Sequence, residues 1–260
     1  MDEPLNPTET APAAPGPSLR PRRGVDLLPN LFTTAALFAG FYAIIGAIQG
    51  KFEAAAIAVF AAMILDGLDG RVARLTHTQS EFGAEYDSLS DMVAFGVAPA
   101  LLAYEWALHG LGKIGWMAAF IYTTAAALRL ARFNTLIGIA DKRFFQGLPS
   151  PSAAAIVAAG VWIGADQGIS GNDVNWLATF LTALAGLLMV SNFRYRSFKD
   201  LDLRNRVPFV AAVIIMLGFA LIYLHPPVIL FLGFLIYALS GPTLALIRLQ
   251  QKRARRRELS

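Results

Sequence analysis

The sequence predicts an all-α fold: a polytopic membrane bundle of about eight transmembrane helices with both termini in the cytoplasm. Three observations predict it. Only 15% of the 260 residues are charged and 56% are hydrophobic, against about 25% charged in ordinary soluble domains. The apolar residues gather into runs of about 20, the length that crosses a bilayer as a helix. Lys and Arg are also biased to one side. With both termini inside, Lys51 and Lys113 alone fall in outer segments, and the other cations fall in cytoplasmic ones, as the positive-inside rule requires. An odd number of crossings breaks this alternation.

Residues 1–25 are rich in Pro and Ala, with Asp2, Glu3 and Glu9 followed by Arg20, Arg22 and Arg23. They read as a disordered cytoplasmic tail, and no apolar stretch before Leu27 resembles a cleavable signal. Residues 26–249 read as one transmembrane catalytic domain whose core is about 26–155, and residues 250–260 as a basic cytoplasmic tail. The expected spans are 27–49, 53–75, 82–108, 112–134, 150–167, 174–191, 207–223 and 226–248. Span two is apolar first and then carries Asp66 and Asp69. Span three is polar first, with Asp87 and Asp91, and apolar from Ala94 to Leu108. Running in opposite directions, the two spans bring both carboxylate pairs to the same cytoplasmic depth. The run from Lys252 to Arg257 suits an anionic membrane face rather than nucleic acid. No cysteine is present, which excludes disulfides and thiolate metal or nucleophile chemistry. No internal repeat of the kind common in transporters is visible.

The chemistry concentrates in one string, DGLDGRVARLTHTQSEFGAEYDSLSD, from Asp66 to Asp91. It reads D-x2-D-G-x2-A-R-x8-G-x3-D-x3-D. A carboxylate within a bilayer costs about 2.5 kcal/mol or more, so four together point to function. Asp66 and Asp69 share one helix face, as do Asp87 and Asp91. The converged faces offer only hard oxygen ligands, which suit Mg²⁺ or Mn²⁺. Four carboxylates exceed the need of one small dication, and two ions with substrate phosphates complete the shell. Gly70 and Gly83 cost helix stability and leave room for a nucleotide or a neighbouring backbone. Arg74 offers a bidentate fork for phosphate. The bland alternative is a set of buried Asp–Arg pairs that fix helix packing.

Asp66, Asp69, Gly70, Ala73, Arg74, Gly83, Asp87 and Asp91 match, position for position, the signature of the CDP-alcohol phosphotransferases, which the chain resembles. The resemblance implies transfer of a phosphatidyl or related group from a CDP-linked donor to an alcohol, with release of CMP. It implies that Asp66, Asp69, Asp87 and Asp91 hold two divalent ions and that Asp91 is the general base. Donor contacts fall to Asp66, Gly70, Ala73, Arg74 and Gly83, and also to Ser80, Asn30 and Thr33. A narrower resemblance covers about residues 26–155. Leu28-Pro29-Asn30, the run from Ser90 to Pro99, Arg129-x2-Arg132-Phe133-Asn134 and the run from Phe144 to Pro151 are similar to the branch whose donor is CDP-diacylglycerol and whose acceptor is L-serine. It implies a homodimer. The charge bias puts the active site on the cytoplasmic face of the inner or cytoplasmic membrane.

An acceptor with a carboxylate, an ammonium and a reacting hydroxyl needs a cation within reach of Asp91. Arg129 and Arg132 are the candidates, with snorkelling to the interface as the alternative for each. Asn134, Gln146 and Ser150 either add hydrogen bonds or cap loop and helix ends. Phe144 and Phe145 are interfacial belt residues or part of a re-entrant loop. His77, His109 and His225 receive no role. The nearest rival is the same chemistry on glycerol phosphate or inositol phosphate. A divalent-ion or lipid transporter leaves Gly70, Gly83 and Arg74 unexplained.

Overall fold

The computed structural model describes residues 27–76, 80–136, 144–196 and 209–258. Helices stand where the spans are expected: α1 (Leu27–Ile48), α2 (Phe52–Thr76), α3 (Glu81–Asp91), α4 (Ala98–Trp106), α5 (Lys113–Leu136), α6 (Ser150–Asp166), α7 (Asn175–Val190), α8 (Phe209–Leu224) and α9 (Pro226–Glu258). The N-terminal tail, His77 and the cations Lys142, Arg143, Lys199, Arg204 and Arg206 lie outside the described residues.

Among the described residues four stretches are long and apolar enough to cross a membrane: Asn30–Ile48, Lys113–Thr135, Gly171–Val190 and Pro226–Ile247. The other segments fall short for physical reasons. α2 carries Asp66, Asp69, Arg71 and Arg74 in its second half. α6 and α8 have 17 and 16 residues, against about 20 for a full crossing. The third expected span is α3, a π-helical turn at Met92–Val97, and α4. Such turns often mark functional sites, and this one follows directly on Asp91.

The fold is not purely helical. β1 (Phe144–Gln146) pairs antiparallel with β2 (Arg194–Arg196), Phe145 opposite Tyr195. Three residues are too few for an alternation to be read, so the pattern gave no sign of them. Gly147 follows β1 with φ +78°, and a Cβ there would collide with the Met189 carbonyl oxygen. The Gly147 N–H donates to the Phe193 carbonyl and the Leu148 N–H to the Leu188 carbonyl, each at 2.9 Å. This clip ties the segment entering α6 to the end of α7. At the other end of the chain, α9 continues as helix through Glu258, so the basic run from Lys252 to Arg257 is helical.

Small residues set the packing, as is usual where lipid removes the hydrophobic drive between helices. Ala43 and Ala47 of α1 are buried with Ala55, Ala56, Val59 and Ala62 of α2. At Gly40 an added Cβ would stand 2.7 Å from Ala94 Cα, so α1 crosses the π turn with backbones nearly touching. α6, apolar on every side, is the hub: most of its residues are buried, and it packs on α2, α4, α7 and α9. α8 packs on α9 at the edge, where Met216, Leu217, Tyr223 and Leu224 are exposed.

Candidate active site

The second half of α2 and the whole of α3 supply the carboxylates, and α1 packs on both helices. Oxygen atoms of Asp66, Asp87 and Asp91 all lie within 4.8 Å of one another, each residue partly buried. Asp69 lies outside that triad. It is buried and accepts a hydrogen bond from Thr33 Oγ1 of α1. Ser90 Oγ donates to the Thr33 carbonyl at 3.1 Å. Thr33 therefore joins α1 to both carboxylate-bearing helices. Carboxylates this close repel unless a proton or a cation lies among them. An all-oxygen donor set on two rigid helices fits a hard divalent cation.

On the donor side the structure brings Asn30, Ser80 and Gly83 together. Ser80 caps α3, its Oγ accepting the Gly83 N–H at 3.0 Å. A Cβ on Gly83 would stand 3.1 Å from Ser80 Oγ and 3.6 Å from Asn30 Oδ1. Thr34 Oγ1 and the Tyr86 hydroxyl lie in hydrogen-bond contact at 2.9 Å. On α2, Arg74 is exposed and reaches back toward Gly70, where a Cβ would lie 3.7 Å from Arg74 Nη1. Ala73 sits partly buried beside it. An exposed guanidinium above a bare glycine leaves space for a phosphate group.

The acceptor candidates separate. Arg129 is only 9% exposed, which rules out snorkelling. Its Nη1 donates to the fully buried Ser150 Oγ at 2.7 Å, and the guanidinium lies within electrostatic reach of Asp91. Its buried Nε–H has no hydrogen-bond partner among the described residues. A buried cation with a donor to spare is costly alone and suits an anionic ligand. Arg132 points elsewhere: Nη1 donates to the Val190 carbonyl at 3.3 Å and lies 3.5 Å from Asn192 Oδ1, as a cap on the end of α7. Asn134 Nδ2 donates to Ser88 Oγ at 3.0 Å and so fastens α5 to the turn that carries Asp87. Gln146 is exposed on β1, opposite Arg194. Of the five, Arg129 and Ser150 bond to each other, Arg132 and Asn134 bond to α7 and to Ser88, and Gln146 pairs through its strand backbone.

Sequence reasoning missed Ser88, Ser90, Thr34 and Tyr122. The hydroxyl of Tyr122, fully buried, donates to the Phe95 carbonyl inside the π turn at 3.0 Å. Tyr122 precedes Arg129 by seven residues, about two helical turns, and that spacing was the available signal. For Ser88 and Ser90 the signal was their place between Asp87 and Asp91.

Residues 26–191, from α1 to the end of α7, match the CDP-alcohol phosphatidyltransferase family. A CDP-diacylglycerol–serine O-phosphatidyltransferase of Helicobacter pylori is 40% identical over 201 residues, covering 77% of this chain and 83% of that protein. The enzyme of that name from Mycobacterium tuberculosis is 38% identical over 179 residues, 66% of this chain and 62% of the relative. That of Methanocaldococcus jannaschii is 40% identical over 142 residues, 55% of this chain and 63% of the relative. A match of this extent, over the helices that gather the aspartates, shows that the chain belongs to the CDP-alcohol phosphatidyltransferase family.

Proposed function

We infer that this protein transfers the phosphatidyl group of CDP-diacylglycerol to the hydroxyl of L-serine, giving phosphatidylserine and CMP. The observation that carries the chemistry is the convergence of Asp66, Asp87 and Asp91 beside a buried Arg129. The names of relatives up to 40% identical support serine as the acceptor. In this reading Asp66, Asp69, Asp87 and Asp91 hold two divalent ions, Mg²⁺ or Mn²⁺. Bound there, such ions neutralise the pyrophosphate and the charge that develops on the leaving phosphate.

The chain's own residues do the rest. Asn30, Ala73, Ser80 and the bare backbone at Gly70 and Gly83 seat the CDP head, while the buried Thr33, expected among the donor contacts, instead steadies Asp69. Arg74 grips a phosphate oxygen pair. Arg129, held by Ser150, takes the serine carboxylate and points its hydroxyl at the reacting phosphorus. Asp91 accepts the hydroxyl proton. The serine oxygen forms a bond to the phosphorus that bears the lipid, the bond from that phosphorus to the bridging oxygen breaks, and CMP leaves with the electron pair. The eight helical segments cross the membrane, both termini lie in the cytoplasm, and the site faces the cytoplasm from the inner or cytoplasmic membrane. A homodimer completes the reading.

The test is CMP release from CDP-diacylglycerol by purified protein, with and without L-serine, in Mg²⁺, Mn²⁺ or EDTA. Serine-dependent, EDTA-sensitive release is expected, with loss of release in Asp91→Asn. Release with glycerol phosphate or inositol phosphate but not serine keeps the chemistry and overturns the acceptor. No release with any acceptor overturns the reaction.

A further inference from the structure

Arg129 and Arg132 leave α5 one turn apart, and their hydrogen bonds meet again through α6 and α7. We propose that Arg132 is a positioning residue of the acceptor pocket. By holding the end of α7 it fixes the strap that carries Ser150, and through Ser150 the direction of the Arg129 guanidinium. This role rests on the serine-transfer reading and deepens it.

The hydrogen bonds form a closed circuit. From α5, Arg129 Nη1 donates to the fully buried Ser150 Oγ at 2.7 Å. Ser150 opens α6, directly behind Gly147, Leu148 and Pro149. The Gly147 N–H donates to the Phe193 carbonyl and the Leu148 N–H to the Leu188 carbonyl. Both acceptors belong to the end of α7 and the turn after it. Arg132 Nη1 then returns from α5 to the Val190 carbonyl at 3.3 Å, with Asn192 Oδ1 at 3.5 Å. Residues 188–193 therefore take donors from two sides, from the strap before α6 and from α5.

The physical reason lies in the helix end. The last carbonyls of a helix have no partner within it. In α7, Leu148 serves the carbonyl of Leu188 and Arg132 that of Val190. A cation is also favoured there by the helix dipole. The strap has little slack. Gly147 has φ +78°, a Cβ on it would collide with the Met189 carbonyl, and Leu148 is fully buried. A shift of the α7 end therefore moves Gly147 and Leu148, and Ser150 stands two residues further on. A guanidinium recognises a carboxylate through a planar fork whose direction matters, so moving Ser150 turns the fork of Arg129. Arg132, with Nη1 committed to Val190, acts on the acceptor through this circuit. The ligand class is an amino alcohol bearing a carboxylate.

The test uses full-length protein in detergent with CDP-diacylglycerol. CMP release is measured against L-serine at saturating donor, and against donor at saturating serine. The proteins are wild type, Arg132→Met, Arg132→Lys, Ser150→Ala and the double variant Arg132→Met with Ser150→Ala. We expect Arg132→Met to raise KM for serine about fivefold, the scale of one hydrogen bond. KM for the donor stays within about twofold, since Arg132 has no phosphate contact in this role. Arg132→Lys keeps a cationic donor for the Val190 carbonyl on a single point, and shifts serine KM by about twofold. Added to Ser150→Ala, Arg132→Met changes serine KM by less than about twofold, because residues on one circuit do not act additively. A full fivefold effect on top of Ser150→Ala overturns the proposal, since Arg132 then acts independently of Ser150, as a direct ligand would. Unchanged serine KM in every Arg132 variant that folds overturns it too. So does a joint rise of both KM values with a lowered melting temperature, which marks a purely structural residue. Wild-type protein without serine-dependent release instead overturns the transfer reading on which the role stands.

Discussion

Thr33 shows how much of the site depends on residues that carry no charge. Its hydroxyl donates to Asp69, while its carbonyl accepts from Ser90. It therefore orients one aspartate and fastens the helix that bears two others. Partners of this kind are worth about 10–100-fold in metal affinity or activity. Thr33→Val keeps the shape and removes the donor, so the Mg²⁺ or Mn²⁺ concentration giving half-maximal CMP release should rise about tenfold or more. A metal titration of the purified variant reads this directly, and an unchanged titration sinks it. The carboxylates themselves were legible in the sequence because charge in an apolar helix is conspicuous. The choice between Arg129 and Arg132 was not. They stand three residues apart, which leaves both near the same side of α5, and only the positions of α6 and α7 send one to Ser150 and the other to Val190.

At the scale of elements, the π turn is the feature that aligns the site. It starts one residue after Asp91, and it is held from one side by the Tyr122 hydroxyl and from the other by α1 at Gly40. A methyl at Gly40 would meet the Ala94 backbone, which cannot swing aside as a side chain can. Gly40→Ala should therefore lower stability by about 1–3 kcal/mol, the usual cost of overpacking, and reduce turnover by shifting α3. Thermal unfolding in detergent, with turnover on the same sample, checks both. A variant as stable and active as wild type would show that α1 and the π turn are not locked. The helices were readable from their apolar runs. The π turn was not, because residues 92–103 are apolar at every position and leave no helical phase for an extra residue to shift. The β1–β2 pair was not either, because its partners are about 50 residues apart and each is three residues long.

For the whole molecule, charge and length set the placement. α9 has 33 residues, about 50 Å of helix against a hydrocarbon layer of about 30 Å, so its basic end extends past the lipid into water. Orientation is open to direct measurement because the chain has no cysteine. Single-cysteine variants Lys51→Cys and Lys113→Cys should react with a membrane-impermeant maleimide from outside intact cells, and Arg71→Cys only after permeabilisation. The reverse pattern would invert the topology and move the site to the other face. The sequence by itself determined the apolar segments, their charge bias and the carboxylate spacing, because each follows from residues close together in the chain. The tertiary structure decided that Asp66, Asp87 and Asp91 form the close triad while Asp69 turns to Thr33, and that Arg129 lies buried against Ser150 while Arg132 turns to Val190. Those outcomes depend on how far helices approach and how each is rotated about its axis. Both are set by small residues such as Gly40 and Gly241 meeting partners distant in the sequence.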